Sequence, residues 1–366
     1  MKKHLIVEMN LRRLQDLCDA LSCSTLCFAL SFFLSATYVQ AGGASEIRDE
    51  SVVPNFTIFH LTDAIINQPL ANDHTPLFYE KSINMKNITN KFEKDESGRR
   101  LLPTMENGGI VFFLHVPKAG GTTVRLNLQK AEHVDYHFGR NKTSYLETVP
   151  LVEKALVHGT ESGRVLVLEV HALDSPSLLQ LKDRLSTWRV MAKQNGINVF
   201  FFTILREPLS YSLSHFNFFH VQRRNDSFEQ CNATEADFLR LSLDNPQCQF
   251  LASGERSMRL QKRLQRSVSV HTCLDLVYET LIDTMDWVGT TEKLSNQTLP
   301  LLARVLRLKP SFRFRNHRVT SKIQNQTLLD AGNLSSSSIN AIHQMSYLDR
   351  ELYHRIQEDF AMKMWI

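Results

Sequence analysis

Ile110-Val-Phe-Phe-Leu-His-Val-Pro-Lys-Ala-Gly-Gly-Thr-Thr-Val-Arg-Leu-Asn-Leu128 decides the fold. Ile110–His115 is a short, unbroken apolar run, the pattern of a strand buried on both faces in a parallel sheet. Gly120 and Gly121 let the backbone turn tightly and come close to a ligand without a Cβ in the way. Thr122 and Thr123 can cap the helix that follows. The N–H groups at that helix start converge on one spot and favour an anion, and Lys118 adds a mobile positive charge. Together these parts read as a phosphate cradle. The alternative is a tight strand–helix turn with a surface lysine. A Walker loop requires its lysine after the second glycine; here Lys118 precedes the pair, which removes the main support for a kinase or ATPase.

Outward from this segment the same texture repeats. Arg164–Val170 and Val199–Leu205 are further apolar runs, and Met285–Gly289 is a fourth. Helical periodicity lies between them, over Thr122–Ala131, Ser177–Asn195, Pro208–Val221, Ala236–Leu243, Arg256–Gln265 and Leu299–Leu308. Ile339–Met364 reads as one long helix or two shorter ones. Strands alternating with helices predict an α/β fold of three layers, a parallel sheet flanked by helices. The expected organisation is a short tail over 1–19, an apolar segment over 20–41, a loosely ordered lead-in over 42–108 and one catalytic domain over 109–366.

The 20–41 segment follows Lys2, Lys3, Arg12 and Arg13 and is uncharged from Ala20 to Val39, long enough to span a bilayer as a helix. It reads as a signal anchor or as a cleaved signal peptide ending near Ala41. Basic residues before it place the remainder in the lumen. Eight Asn-x-Ser/Thr triplets, at Asn55, Asn87, Asn141, Asn225, Asn232, Asn296, Asn325 and Asn333, all follow it. Of the six cysteines, Cys231, Cys248 and Cys273 would face an oxidising lumen, and three cannot all pair within one chain. Cys231 with Cys248 would close a short loop; the alternative is three reduced core thiols. Net charge is only +4, so neither a polyanion nor a nucleic-acid partner is implied.

A second strand–turn–helix follows in Val199-Phe-Phe-Phe-Thr-Ile-Leu-Arg-Glu-Pro-Leu-Ser-Tyr-Ser-Leu-Ser-His-Phe216. Arg206 ends the strand, where open α/β sheets bind ligands, and its planar fork suits phosphate. Pro208 fits the first helical turn, and Ser214 lies two turns along. Phe216, Phe218 and Phe219 read as core. His171 closes the strand between the two motifs, on the same face as Glu169 by strand alternation; His158 and His115 are the other nearby imidazoles. Arg259, Lys262, Arg263 and Arg266 share one helical face, either a seat for an acidic glycan or a solvated surface. Arg315, Asn316 and Arg318 stand in a basic loop before the final helices.

Pro-Lys-x-Gly-Gly-Thr-Thr behind an apolar strand resembles the 5′-phosphosulfate loop of Golgi carbohydrate sulfotransferases. Arg206 with Ser214 eight residues later resembles their 3′-phosphate site. The resemblance covers roughly Gly109–Lys363. It is nearest to the heparan sulfate and uronyl 2-O-sulfotransferase branch, although Gly120-Gly121 departs from that branch's loop. It implies a P-loop-like sulfotransferase fold in a type II Golgi membrane protein. The implied reaction is sulfuryl transfer from 3′-phosphoadenosine 5′-phosphosulfate to a hydroxyl of a glycan or glycoconjugate, with no metal. Lys118, Ala119, Gly120, Gly121, Thr122 and Thr123 would hold the 5′ group, Arg206 and Ser214 the 3′-phosphate. Arg318 would belong to a loop closing over the nucleotide. His171 would be the base, with His158 and Glu169 as rivals and His115 touching the acceptor. The sequence is silent on oligomeric state.

Overall fold

The computed structural model describes residue 96 and residues 101–139, 141–171, 176–222, 231–254, 270–315 and 328–362. The segments 1–19 and 20–41, the basic stripe Arg259–Arg266 and Arg318 lie outside the described residues. Among those described, no helix is long and apolar enough to cross a membrane.

Five parallel strands form one sheet: β1 (Gly109–His115), β2 (Val134–Gly139), β3 (Val165–His171), β4 (Val199–Leu205) and β5 (Trp287–Thr290), in the order β2-β3-β1-β4-β5. Helices α1 (Gly121–Leu128), α2 (Lys142–His158), α3 (Leu178–Gln194), α4 (Pro208–Phe216), α5 (Glu235–Leu241), α6 (Val270–Thr284), α7 (Leu299–Val305), α8 (Ser336–Met345) and α9 (Tyr347–Met362) cover it or join its strands. The protein has an α/β fold, as its alternating pattern requires. Met285–Gly289 contributes a strand shifted to Trp287–Thr290, and the last helical stretch is two helices.

The central strands are apolar because helices cover both of their faces. All seven residues of β1 and of β4 are buried. Phe113 stacks on Phe202 with centroids 4.4 Å apart, and Phe112 meets Phe201 edge-on at 5.9 Å. Each buried phenylalanine contributes on the order of 1.5–3 kcal/mol.

Besides the helical segment over 246–254, three elements escape the periodicity reading. β2 is an edge strand whose middle carries Asp135, Tyr136 and His137, so it has no apolar run to betray it. α2 contains Pro150, a helix-breaking signal. It forms nonetheless behind a full capping box, in which Asn141 Oδ1 accepts from Ser144 N at 2.9 Å and Ser144 Oγ accepts from Asn141 N at 3.1 Å. α6 is the third. The helix expected over Pro208–Val221 keeps its span, but from Asn217 to Gln222 it widens into a π-helix. Within the stretch assigned to the lead-in, Met105 is buried and its N–H donates to Val305 O at 2.9 Å. That part of the lead-in is packed on the domain.

The Cys231–Cys248 pairing is not made. Cys248 is buried, with its backbone N–H and its thiol both directed at the Asp349 carboxylate. Cys231 instead follows the π-helix, its N–H donating to His220 O at 3.2 Å. The four described sequon asparagines, Asn141, Asn232, Asn296 and Asn333, are all exposed.

Candidate active site at the carboxyl edge of the sheet

β1 leaves the sheet toward β2, whereas its neighbour β4 leaves toward β5. Adjacent strands that depart in opposite directions open a crevice at their carboxyl ends, the usual ligand position in such sheets. Lys118 follows β1 and Arg206 follows β4, so both motifs meet here. The contact is direct: Arg206 Nη1 donates to Lys118 O at 3.1 Å across 88 residues of chain.

The turn after β1 is built for this approach. Lys118 has φ 65° and Gly120 φ 86°, both left-handed. A lysine there costs on the order of 1–3 kcal/mol, and the Arg206 bond to its carbonyl helps hold it. The expected threonine cap is corrected: Gly120 is the N-cap of α1 and no side chain caps the turn. Thr122 and Thr123 fall inside the first helical turn, because the helix starts at Gly121. A side-chain acceptor at the cap would occupy the place an anion would take. Lys118 Nζ lies 3.7 Å from the centroid of the Phe218 ring, so Phe218 is a rest for this cation rather than simple core. Phe216 and Phe219 are buried as expected.

Gly121 has a second reason to be glycine. A Cβ at this position would collide with the ring of His115. His115, the last residue of β1, pairs in register with His171, the last of β3. Their rings stack with centroids 3.9 Å apart and planes 20° from parallel.

Glu169 lies two residues before His171 on the same face and is wholly buried. Its carboxylate receives His115 Nδ1 at 2.5 Å and the Tyr136 hydroxyl at 2.5 Å. Arg125 Nη1 stands 3.6 Å away, with its guanidinium over the Phe138 ring at 4.2 Å. Burial pushes the Glu169 carboxyl upward, opposed by Tyr136 and Arg125. Burial and the adjacent carboxylate hold the Tyr136 phenol well above its ordinary range, so it remains a donor. The 2.5 Å contact with Glu169 favours a proton on His115, but burial and the Arg125 and Lys118 charges outweigh it. His115 is lowered to about 3. His171 is lowered to about 3 as well, chiefly by burial and then by His115. Both imidazoles are therefore neutral near pH 7. The His171 Nδ1–H donates to His115 O at 3.2 Å, which makes Nε2 the lone-pair nitrogen.

His115, Glu169 and His171 also offer three ligand atoms within 4.8 Å of one another. Glu169 and His115 already bond each other, and the Arg125 and Lys118 charges oppose a cation beside them.

Ala119 is buried within the loop, and Ser214 is partly exposed two turns along α4. His158 ends α2, exposed, where the chain returns to the amino end of β3. It stands at the opposite edge of the sheet from His171 and is not its rival. Arg315 is exposed, its backbone N and O both bonded to the Asn127 side chain of α1 at 2.8 Å. Arg206 Nε is buried and has no hydrogen-bond partner among the described residues. Burial lowers the Arg206 pKa, countered by Glu292 and Glu207. Arg125 and Tyr136 escaped the sequence reading. Arg125 sits one helical turn after Gly121, a spacing that could have flagged it; Tyr136 lies on the unrecognised edge strand.

No protein-family model and no curated protein matches the chain. Among solved structures, the Deinococcus radiodurans tunicamycin resistance protein is 13% identical with a TM-score of 0.29, over 56% of this chain and 99% of that one. Likeness at that level carries no argument about function.

Proposed function

We propose that the protein is a lumenal sulfotransferase that moves a sulfuryl group from 3′-phosphoadenosine 5′-phosphosulfate to a hydroxyl of a glycan or glycoconjugate, on a P-loop-like sulfotransferase fold carried by an N-terminal Golgi anchor. The observation that carries the reading is the Arg206–Lys118 contact, which joins two separate anion-binding motifs in one crevice. The residues present fit a nucleotide that carries anionic groups at both its 3′ and 5′ ends. The α1 start has no side-chain cap, Lys118 lies beside it, and Arg206 has a buried Nε without a partner among the described residues.

In this reading the α1 amides and Lys118 hold the 5′ end, and Arg206 with Ser214 holds the 3′-phosphate. Two fixed phosphates orient the donor, which lowers the entropic part of the barrier. The donor supplies an activated sulfur whose leaving group is a nucleotide phosphate. Lys118 and the amides meet the charge that develops on that phosphate as the S–O bond breaks. His171 Nε2 takes the acceptor hydroxyl's proton as the new O–S bond forms. Its depressed basicity reflects burial first, with His115 and Arg125 adding to it, and the negative charge of a bound donor acts in the opposite direction. His115 fixes the tautomer through its carbonyl, Glu169, itself held by Tyr136, fixes His115, and no step needs a metal.

The test is transfer of labelled sulfate from the donor to a panel of glycans. Transfer to any acceptor supports the reading. Donor binding with no transfer would instead make the chain a nucleotide-binding family member without catalysis. Failure to bind the donor would remove the reading altogether.

A further inference from the structure

Arg206 and Glu207 form the turn between β4 and α4, and one helix holds this turn from two sides. On one side, the Gln247 side chain accepts from Arg206 N at 2.9 Å and donates to Arg206 O at 2.7 Å. Gln247 belongs to a helical segment over 246–254 whose start is held by Asp349 of α9. Asp349 Oδ2 accepts from Gln247 N at 2.9 Å, and Oδ1 from Cys248 N at 2.7 Å. Both Asp349 and Gln247 are 1% exposed. Asn245, left-handed at φ 44°, closes the connection by accepting from Leu348 N at 2.7 Å. On the other side, Tyr353 Oη donates to Glu292 Oε2 at 2.8 Å, and Glu292 Oε1 accepts from Glu207 N at 3.2 Å. Asp349 and Tyr353 are four residues apart and share one face of α9.

We infer that Asp349 and Tyr353 are positioning residues, which fix the Arg206–Glu207 backbone so that the Arg206 fork meets the 3′-phosphate of the nucleotide; this rests on the donor reading above. Arg206 has a long, flexible side chain, and a fork grips two phosphate oxygens only when its base is fixed. Gln247 alone could not supply this, because its own backbone is oriented by the Asp349 cap. The carboxylates beside the guanidinium are themselves occupied. Glu207 accepts from Leu209 N and Ser210 N, and Glu292 is bound by Tyr353, so neither needs the Arg206 charge for itself.

The experiment compares affinities for 3′-phosphoadenosine 5′-phosphate and adenosine 5′-phosphate, which differ only in the 3′-phosphate. Wild type should prefer the first. Asp349→Asn and Tyr353→Phe should each reduce that preference, by about tenfold for the former and about threefold for the latter, with adenosine 5′-phosphate binding unchanged. Tyr353→Phe removes a single hydroxyl, so it keeps the test open if Asp349→Asn does not fold. An undiminished preference in both variants would overturn the inference. Equal loss of both nucleotides would reduce the two residues to a general structural role, also overturning it. A wild type with no preference would overturn the 3′-phosphate reading of Arg206 itself, and the inference with it.

Discussion

The His115 ring lies against Gly121 so closely that any side chain at 121 would meet it. The contact ties the end of the central strand to the first residue of α1, and it makes Gly121→Ala a sharp probe. The added methyl must displace His115 and, with it, the Glu169 and His171 contacts. The expected cost is about 1–3 kcal/mol of stability, with weaker donor binding. His115→Ala in the same chain should recover most of the stability lost to the methyl. Denaturant melts of the two singles and the double variant check this, and simple additivity would refute the contact.

His171→Ala should separate chemistry from binding. Loss of a general base costs about 10²- to 10⁴-fold in turnover, whereas the nucleotide contacts assigned to Lys118, Arg206 and the α1 amides remain. Single-turnover transfer and nucleotide titration give the two quantities. Normal turnover would remove His171 from the mechanism.

Acid should destabilise this site by a calculable sign. His115 and His171 are lowered from 6.5 to about 3, so the folded state resists protons that the unfolded chain accepts. Their contribution is complete above pH 6.5 and is lost as pH falls toward 3, by up to about 1.4 kcal/mol per pH unit for each imidazole. Asp349 acts in the opposite sense. Burial raises it to about 6, so it favours the fold at low pH and loses that contribution as pH rises from about 4 to 6. Asp349→Asn should therefore steepen the rise of stability with pH across that window. Urea melts between pH 4 and pH 7 measure the slope, and an unchanged slope would contradict the assignment.

A chelator distinguishes the proton network from a metal centre at His115, Glu169 and His171. Treatment with EDTA should leave sulfate transfer and thermal stability unchanged. Loss of either, restored by zinc or iron, would reassign the cluster as a ligand set.

Much of the architecture was legible because burial writes itself into sequence. β1, β3 and β4 are covered on both faces, so their runs read directly as strands. The edge strand β2 was not legible, since one open side lets it carry Asp135 and His137. Likewise Pro150 masked α2, whose capping box at Asn141 and Ser144 nevertheless lets it form. The turn chemistry of the 118–123 loop was legible too, except for its cap: Gly120 takes the role expected of the threonines.

By itself, the sequence determined the alternation of strands and helices, the glycine turn with its lysine, and the histidine at the end of β3, because these follow from local geometry and burial. The tertiary structure alone decided which groups meet. Strand order places β1 between β3 and β4, and this brings Arg206 to the Lys118 carbonyl and stacks His171 on His115. It also decided that α9 holds the Arg206 turn through Gln247 and Glu292. These contacts join residues 41 to 102 positions apart. Their energies depend on packing and register between elements, and no local periodicity encodes that.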